Sequence, residues 1–269
     1  MSNFDHLCGH RQPSEHEHNA KMALLPVPNF RDIYAPLKGS GRGKTVLLYD
    51  YYKKVTGHEP GGRQVGPDCV SWGAKNAIDH TYCCEIALKG ELEEWTTETC
   101  SEYIYGDSRV RIGDSSLGYG GGSCGIWGAL SATDGVLARG KYGNYDLRTY
   151  DYSIAEKWGS PRVGVPKELR DIAKETRVKT VSLVTTYEEA RDSLANGYAL
   201  SIASSQAFST HRVKGICAPD YSRNWEHQMA VVGFTEEYGN PLVAILNSWG
   251  VLDWGYVFRL SAGRFLVRR

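Results

Sequence analysis

The chain has 269 residues, 41% hydrophobic and 11% aromatic, enough for one large domain or two lobes sharing a cleft. Thirty-one basic and thirty-one acidic residues cancel, so charge gives no reason to expect a nucleic acid or an anionic membrane as partner. No apolar run approaches the ~20 residues of a membrane span. The short run Met22–Val27 does not read as an export signal.

Seven cysteines are an odd and sparse set, which argues against a disulfide scaffold. Most are expected to be reduced and buried, as in a cytoplasmic protein. One or two bridges stay open if the protein works outside a cell.

Along the chain, residues 1–45 read as an irregular polar arm. His6, His10, His16 and His18, with Cys8 among them, could supply zinc ligands, but their spacing fits no zinc motif. A solvated arm without metal is the expectation. Gly39-Ser40-Gly41-Arg42-Gly43-Lys44-Thr45 is one residue short of a phosphate-binding loop. A strand-like run, Val46–Tyr49, follows where a helix would be needed, so the segment reads as a turn entering a strand.

From Cys69, the residues Val70, Ala74, Ala77, Ile78, Tyr82 and Ile86 recur at helical steps up to Gly90. Pro67 stiffens the approach and Asp68 can cap the first turn. A second helix is expected over 124–134, a long ordered surface connection over 141–166, and a short helix over 187–196. Strands are expected at 199–203, 229–235, 242–247 and 255–260. The division is an arm (1–45), a helical lobe that includes the helix from Cys69 (46–165) and a β-rich lobe (166–269), giving an α+β protein.

A cysteine at a helix N-terminus has a chemical use. The helix end carries roughly half a positive charge and favours the thiolate of a group whose ordinary pKa is about 8.5. The adjacent Asp68 works against it. The plain alternative is a buried structural cysteine.

The segment Gln64-Val65-Gly66-Pro67-Asp68-Cys69-Val70-Ser71-Trp72-Gly73-Ala74 resembles the catalytic segment of papain-like cysteine peptidases. Asn224-Trp225-Glu226-His227-Gln228-Met229-Ala230-Val231-Val232-Gly233-Phe234 is similar to their histidine strand. Leu246-Asn247-Ser248-Trp249-Gly250, followed by Trp254-Gly255-Tyr256, resembles their asparagine strand and the strand after it. Val70 with Ser71 is nearest the divergent bacterial and phage branch.

The resemblance implies a papain-like two-lobe fold, with a helical lobe carrying the cysteine and an antiparallel, barrel-like β lobe carrying histidine and asparagine. It makes Cys69 the nucleophile, His227 the base and acid, and Asn247 the group that orients the imidazole. Gln64 and the Cys69 backbone N–H would form the oxyanion hole. Trp249 would shield the His–Asn bond and stands with Gly121, Gly122 and Ser123 on the substrate-binding side. Which two residues of the glycine run bind an extended peptide is left open. The segment ahead of Gln64 is short for the family's inhibitory prodomain, so latency would need another source.

The implied function is peptide-bond hydrolysis through a thioester, with a protein or peptide as partner, no cofactor, and neither nucleic acid nor membrane involved. Two alternatives stand beside it: a non-catalytic papain-fold structural or virion component, and a peptidoglycan cross-bridge endopeptidase. Transfer of the acyl group to an amine instead of water is also allowed. The location implied is cytoplasmic, or virion-associated if phage-like segments such as Glu102–Gly106 indicate virion partners.

Overall fold

The computed structural model describes residues 5–12, 14–24, 27–33, 35–90, 98–213, 216–237, 241–251, 254–258 and 265–268. Its helices are α1 (Glu15–Leu24), α2 (Phe30–Ile33), α3 (Tyr49–Thr56), α4 (Cys69–Lys89), α5 (Ser101–Asp107), α6 (Gly125–Asp134), α7 (Tyr152–Trp158), α8 (Lys167–Ala173) and α9 (Tyr187–Ala195). A π-helical turn, Ser108–Ile112, continues α5.

The strands are β1 (Thr45–Leu47), β2 (Gly61–Arg63), β3 (Lys141–Tyr142), β4 (Tyr145–Asp146), β5 (Val181–Val184), β6 (Leu200–Val213), β7 (Ile216–Thr235), β8 (Leu242–Leu246), β9 (Trp249–Val251), β10 (Trp254–Phe258) and β11 (Phe265–Arg268).

The main sheet runs β10-β8-β7-β6-β11-β5, with β1 also paired to β7. Its neighbours are antiparallel, except that β10 also meets the start of β7 in parallel, which curls the sheet. Helices α4 and α6 pack against the sheet and α5 packs against them, so the chain is α+β, as expected. The aliphatic faces of β6, β7 and β8 form the largest core, with Leu200, Ile202, Val231, Phe234, Ala244 and Leu246 buried.

The central element is α4. Its start at Cys69 and its end at Gly90 fall where the sequence places them, and Gly90 takes the left-handed conformation (φ 65°) of a helix terminator. Every residue from Cys69 to Glu85 is buried, which goes beyond a one-sided amphipathic helix. The polar members therefore need partners. Lys75 Nζ lies 3.0 Å from Asp79 and 3.4 Å from Glu98, and Tyr52 donates to Glu98 at 2.7 Å.

Gly73 lets the helix approach β7, because a Cβ there would stand 3.1 Å from the Met229 carbonyl oxygen and 3.2 Å from its nitrogen. That contact brings the first turn of α4 against the strand that carries His227.

Several expectations need correction. Residues 1–45 are not uniformly irregular. Ser14 and Glu17 form a reciprocal capping pair (Ser14 N–H to Glu17 Oε2 at 2.9 Å, Glu17 N–H to Ser14 Oγ at 3.3 Å) that starts α1. Asp68 does not cap α4 through its side chain. The connection over 141–166 contains the β3–β4 hairpin and α7, and it buries Leu147, Ala155 and Trp158. All seven cysteines are free thiols. Gly39–Thr45 does enter a strand, β1.

Candidate active site

Three local structures bring the site together. Cys69 opens α4, His227 lies on β7, and Asn247 follows directly on β8. The short β2–β9 ladder pairs Arg63 with Trp249 and carries Gln64 to Ser248, whose carbonyl accepts the Gln64 N–H at 2.8 Å. Register shifts between β6 and β7 begin at Ser204, the residue paired with His227, and alter the strand where the imidazole is presented.

His227 is fully buried, and its Nε2 stands 2.7 Å from Asn247 Oδ1. The Ser248 N–H donates to the same oxygen at 2.9 Å, which identifies that oxygen as the acceptor and places a proton on Nε2. Nδ1 is enclosed and has no hydrogen-bond partner among the described residues. Trp249 lies over the imidazole at 5.0 Å between ring centroids, and Trp225 stands 5.3 Å from both rings. Trp249 thus covers the His–Asn pair. Trp225 is a second shield that the sequence reading missed.

Gln64 is buried, and its amide is fixed at both ends. Ser248 Oγ donates to Oε1, while Nε2 donates to the Gly66 carbonyl at 2.8 Å and to the Leu7 carbonyl at 2.8 Å. The bond to Leu7 shows where the N-terminal arm lies. Leu7–Arg11 runs through the cleft rather than into solvent. The Gly9 N–H points at Cys69 Sγ at 3.2 Å, and the His10 N–H donates to the Glu226 carbonyl at 3.0 Å. The Gly9 carbonyl accepts from the Ser123 N–H at 2.8 Å, and the Ser123 carbonyl accepts from the Arg11 N–H at 2.8 Å. His10 and Ser123 form a parallel bridge.

Only glycine fits at position 9, where a Cβ would stand 1.9 Å from the Pro67 carbonyl oxygen. Of the four residues expected on the substrate side, Trp249 lies over the imidazole, and Ser123 presents both backbone groups to the cleft. Gly121 packs on Pro67, and Gly122 (φ 87°) turns the chain.

Burial dominates the electrostatics. Burial pushes the Cys69 thiol up to about 12 from an ordinary 9.0, against the opposing pull of the Gly9 and Gln228 N–H groups. Burial also lowers His227 to about 4, despite its bond to Asn247, and lowers His10 to about 4. Burial thus works against the thiolate that the helix end favours. Asp68, also buried, is raised to about 7, opposed by the Tyr150 hydroxyl, which donates to Oδ2 at 2.8 Å. A cavity of about 400 Å³ lies beside the glycine run, lined by Tyr105, Tyr119, Tyr152 and Glu156 among others.

No family model matches the sequence, and no curated protein matches it. Solved structures match over nearly the whole chain. Xylellain, a cysteine protease from Xylella fastidiosa, has 15% identity and a TM-score of 0.58, covering 98% of this chain and 96% of its own. A procathepsin B from Trypanosoma congolense has 10% identity and a TM-score of 0.58, with 98% and 87% covered. A digestive procathepsin L2 from Tenebrio molitor larval midgut has 16% identity and a TM-score of 0.58, with 100% and 80% covered. The chain has the papain-like cysteine protease fold.

Proposed function

We propose that the protein is a papain-like cysteine peptidase, and that the described conformation is a latent one with the N-terminal arm in the substrate cleft. One observation carries the reading. A peptide carbonyl, that of Leu7, already sits on the Gln64 amide, and two residues further along the arm the Gly9 N–H meets Cys69 Sγ. The arm is bound as a peptide would be. The sulfur, however, meets the N–H of Gly9, so the thiol itself is occupied by a donor group.

With the arm displaced, solvent and the α4 N-terminus lower the barrier to ionising Cys69, and the thiol proton passes to His227 Nδ1. The sulfur then attacks the scissile carbonyl carbon. The oxyanion is held by Gln64 Nε2 and the Cys69 N–H, at about 3 kcal/mol per donor. His227 returns the proton to the leaving amine, and the acyl group stays on sulfur as a thioester. Water, deprotonated by His227, releases the acid and restores the thiol. Asn247 keeps Nε2 protonated throughout, which keeps Nδ1 as the exchanging nitrogen.

The test is peptide turnover by the Gly9→Val chain, in which the added side chain meets the Pro67 carbonyl and forces the arm out. Hydrolysis of an unfolded protein substrate is expected, and is lost when Cys69→Ala is added. No turnover in either chain, with a Cys69 that titrates only above pH 8, would favour the non-catalytic scaffold.

A further inference from the structure

The glycine run that faces the cleft is a poor candidate to hold its own shape. Gly118, Gly120, Gly121 and Gly122 leave four of five consecutive residues without a side chain, and such a segment loses the most conformational freedom on ordering. No disulfide anchors it, since Cys100 and Cys124 are free.

What holds it is one face of the preceding helical segment. Tyr105, Ser108 and Arg109 lie three and four residues apart, across the passage from α5 into the π-helical turn. The Tyr105 hydroxyl accepts the Gly122 N–H at 3.0 Å, and the Ser108 and Ser123 hydroxyls meet at 2.8 Å. Arg109, 3% exposed, donates to four backbone carbonyls: from Nη2 to Gly118 at 2.7 Å and Gly120 at 2.5 Å, from Nη1 to Gly122, and from Nε to Gly159 at 2.9 Å.

No carboxylate is paired with this guanidinium among the described residues. Burial disfavours its charge, and the nearby cationic Arg11 adds to that. A buried cation without a counter-ion is expensive, and an aliphatic side chain could fill the space without that penalty. What arginine alone adds is a rigid planar fork that satisfies several carbonyls at fixed angles. With the Gly122 carbonyl held on Arg109, the next carbonyl, that of Ser123, faces the cleft together with its own N–H.

We propose that Arg109 is a positioning residue for peptide binding: it clamps the glycine run so that the Ser123 backbone stands ready to pair with a peptide. The arm uses that pairing in the latent form, and a substrate would use it once the arm leaves. The substrate half of the proposal rests on the peptidase reading.

The test uses the full chain with Arg109→Ala and Arg109→Lys. In the alanine chain, amide hydrogen exchange over 118–123 and at Arg11 should quicken about tenfold or more, with residues 69–89 unchanged. In the Gly9→Val background, KM for a peptide should rise about tenfold, with kcat within about twofold. The lysine chain, which keeps the charge without the fork, should fall between. Unchanged exchange over 118–123, or a loss of kcat at constant KM, would overturn the proposal. If the alanine chain loses protection everywhere, the lysine chain decides: an increase confined to 118–123 and Arg11 supports the clamp, and a uniform increase rejects it. If the Gly9→Val chain with native Arg109 hydrolyses no peptide, the peptidase reading fails, and the exchange comparison still decides whether Arg109 holds the run.

Discussion

The two walls of the cleft hold their working groups by different means. On the sheet side, His227 and Asn247 sit on adjacent strands, and their orientation follows from strand register, a 2.7 Å hydrogen bond and two covering tryptophans. On the helical side, Cys69 is placed by a helix end, but its surroundings depend on a glycine run clamped by Arg109 and on the arm that fills the cleft. The sheet wall holds its histidine–asparagine pair through contacts made within the sheet lobe itself. The helical wall, by contrast, takes part of its burial and hydrogen bonding from the arm, through Gly9 on Cys69 and Arg11 on Ser123.

Damage at Gln64, the proposed oxyanion donor, is expected to lower kcat, whereas changes at the arm are expected to alter how often the cleft is open. The largest effect is expected from Gln64→Ala in the Gly9→Val background, with kcat falling about 10²-fold and KM little changed. Equal losses in both parameters would mean that Gln64 holds the local structure rather than the oxyanion.

Arm release should respond to pH with a defined sign. His10, on the arm itself, is held at about 4, below its ordinary 6.5, so the open form, with that side chain released, binds more protons between those values. The closed form is therefore fully favoured above pH 6.5 and loses ground as the pH falls toward 4. The thiol runs the other way: held at about 12 instead of 9.0, it favours release as the pH rises past 9. Hydrogen exchange at Gly9 to Arg11 should be slowest between about pH 6.5 and 9, after correction for intrinsic rates. A flat profile would mean that the arm's contacts do not bury these groups.

The smallest effect is expected from Tyr150→Phe, which strips Asp68 Oδ2 of its donor. A stability loss of roughly 1–3 kcal/mol, read from the denaturant midpoint, is expected for a buried carboxyl left without that partner.

The parts of the site that the sequence reveals are those whose signals are local. Cys69 opens a helix with a readable period and a glycine stop. His227 and Asn247 lie on β-branched and aromatic runs with distinctive neighbours. The arm was illegible because its polar, histidine-rich composition is that of a solvated segment. Its decisive contact, Gly9 with Cys69, spans 60 positions. The glycine at position 9 was the one local hint. Helix α5 was missed for a different reason: all of Ser101–Asp107 is buried, so no amphipathic period marks it. Arg109 gives no sequence signal, since its partners are backbone carbonyls of a loop and of Gly159.

The most direct measurement is the rate of Cys69 alkylation by a limiting small reagent near pH 6, followed by intact mass. It should be run on the native chain, on Gly9→Val, and on Gly9→Val with His227→Ala. A latent thiol peptidase predicts slow labelling of the native chain, labelling about 100-fold faster once the arm is expelled, and loss of most of that gain without His227. Equally slow labelling in all three chains, or a gain that ignores His227, would contradict a thiolate–imidazolium pair beneath the arm.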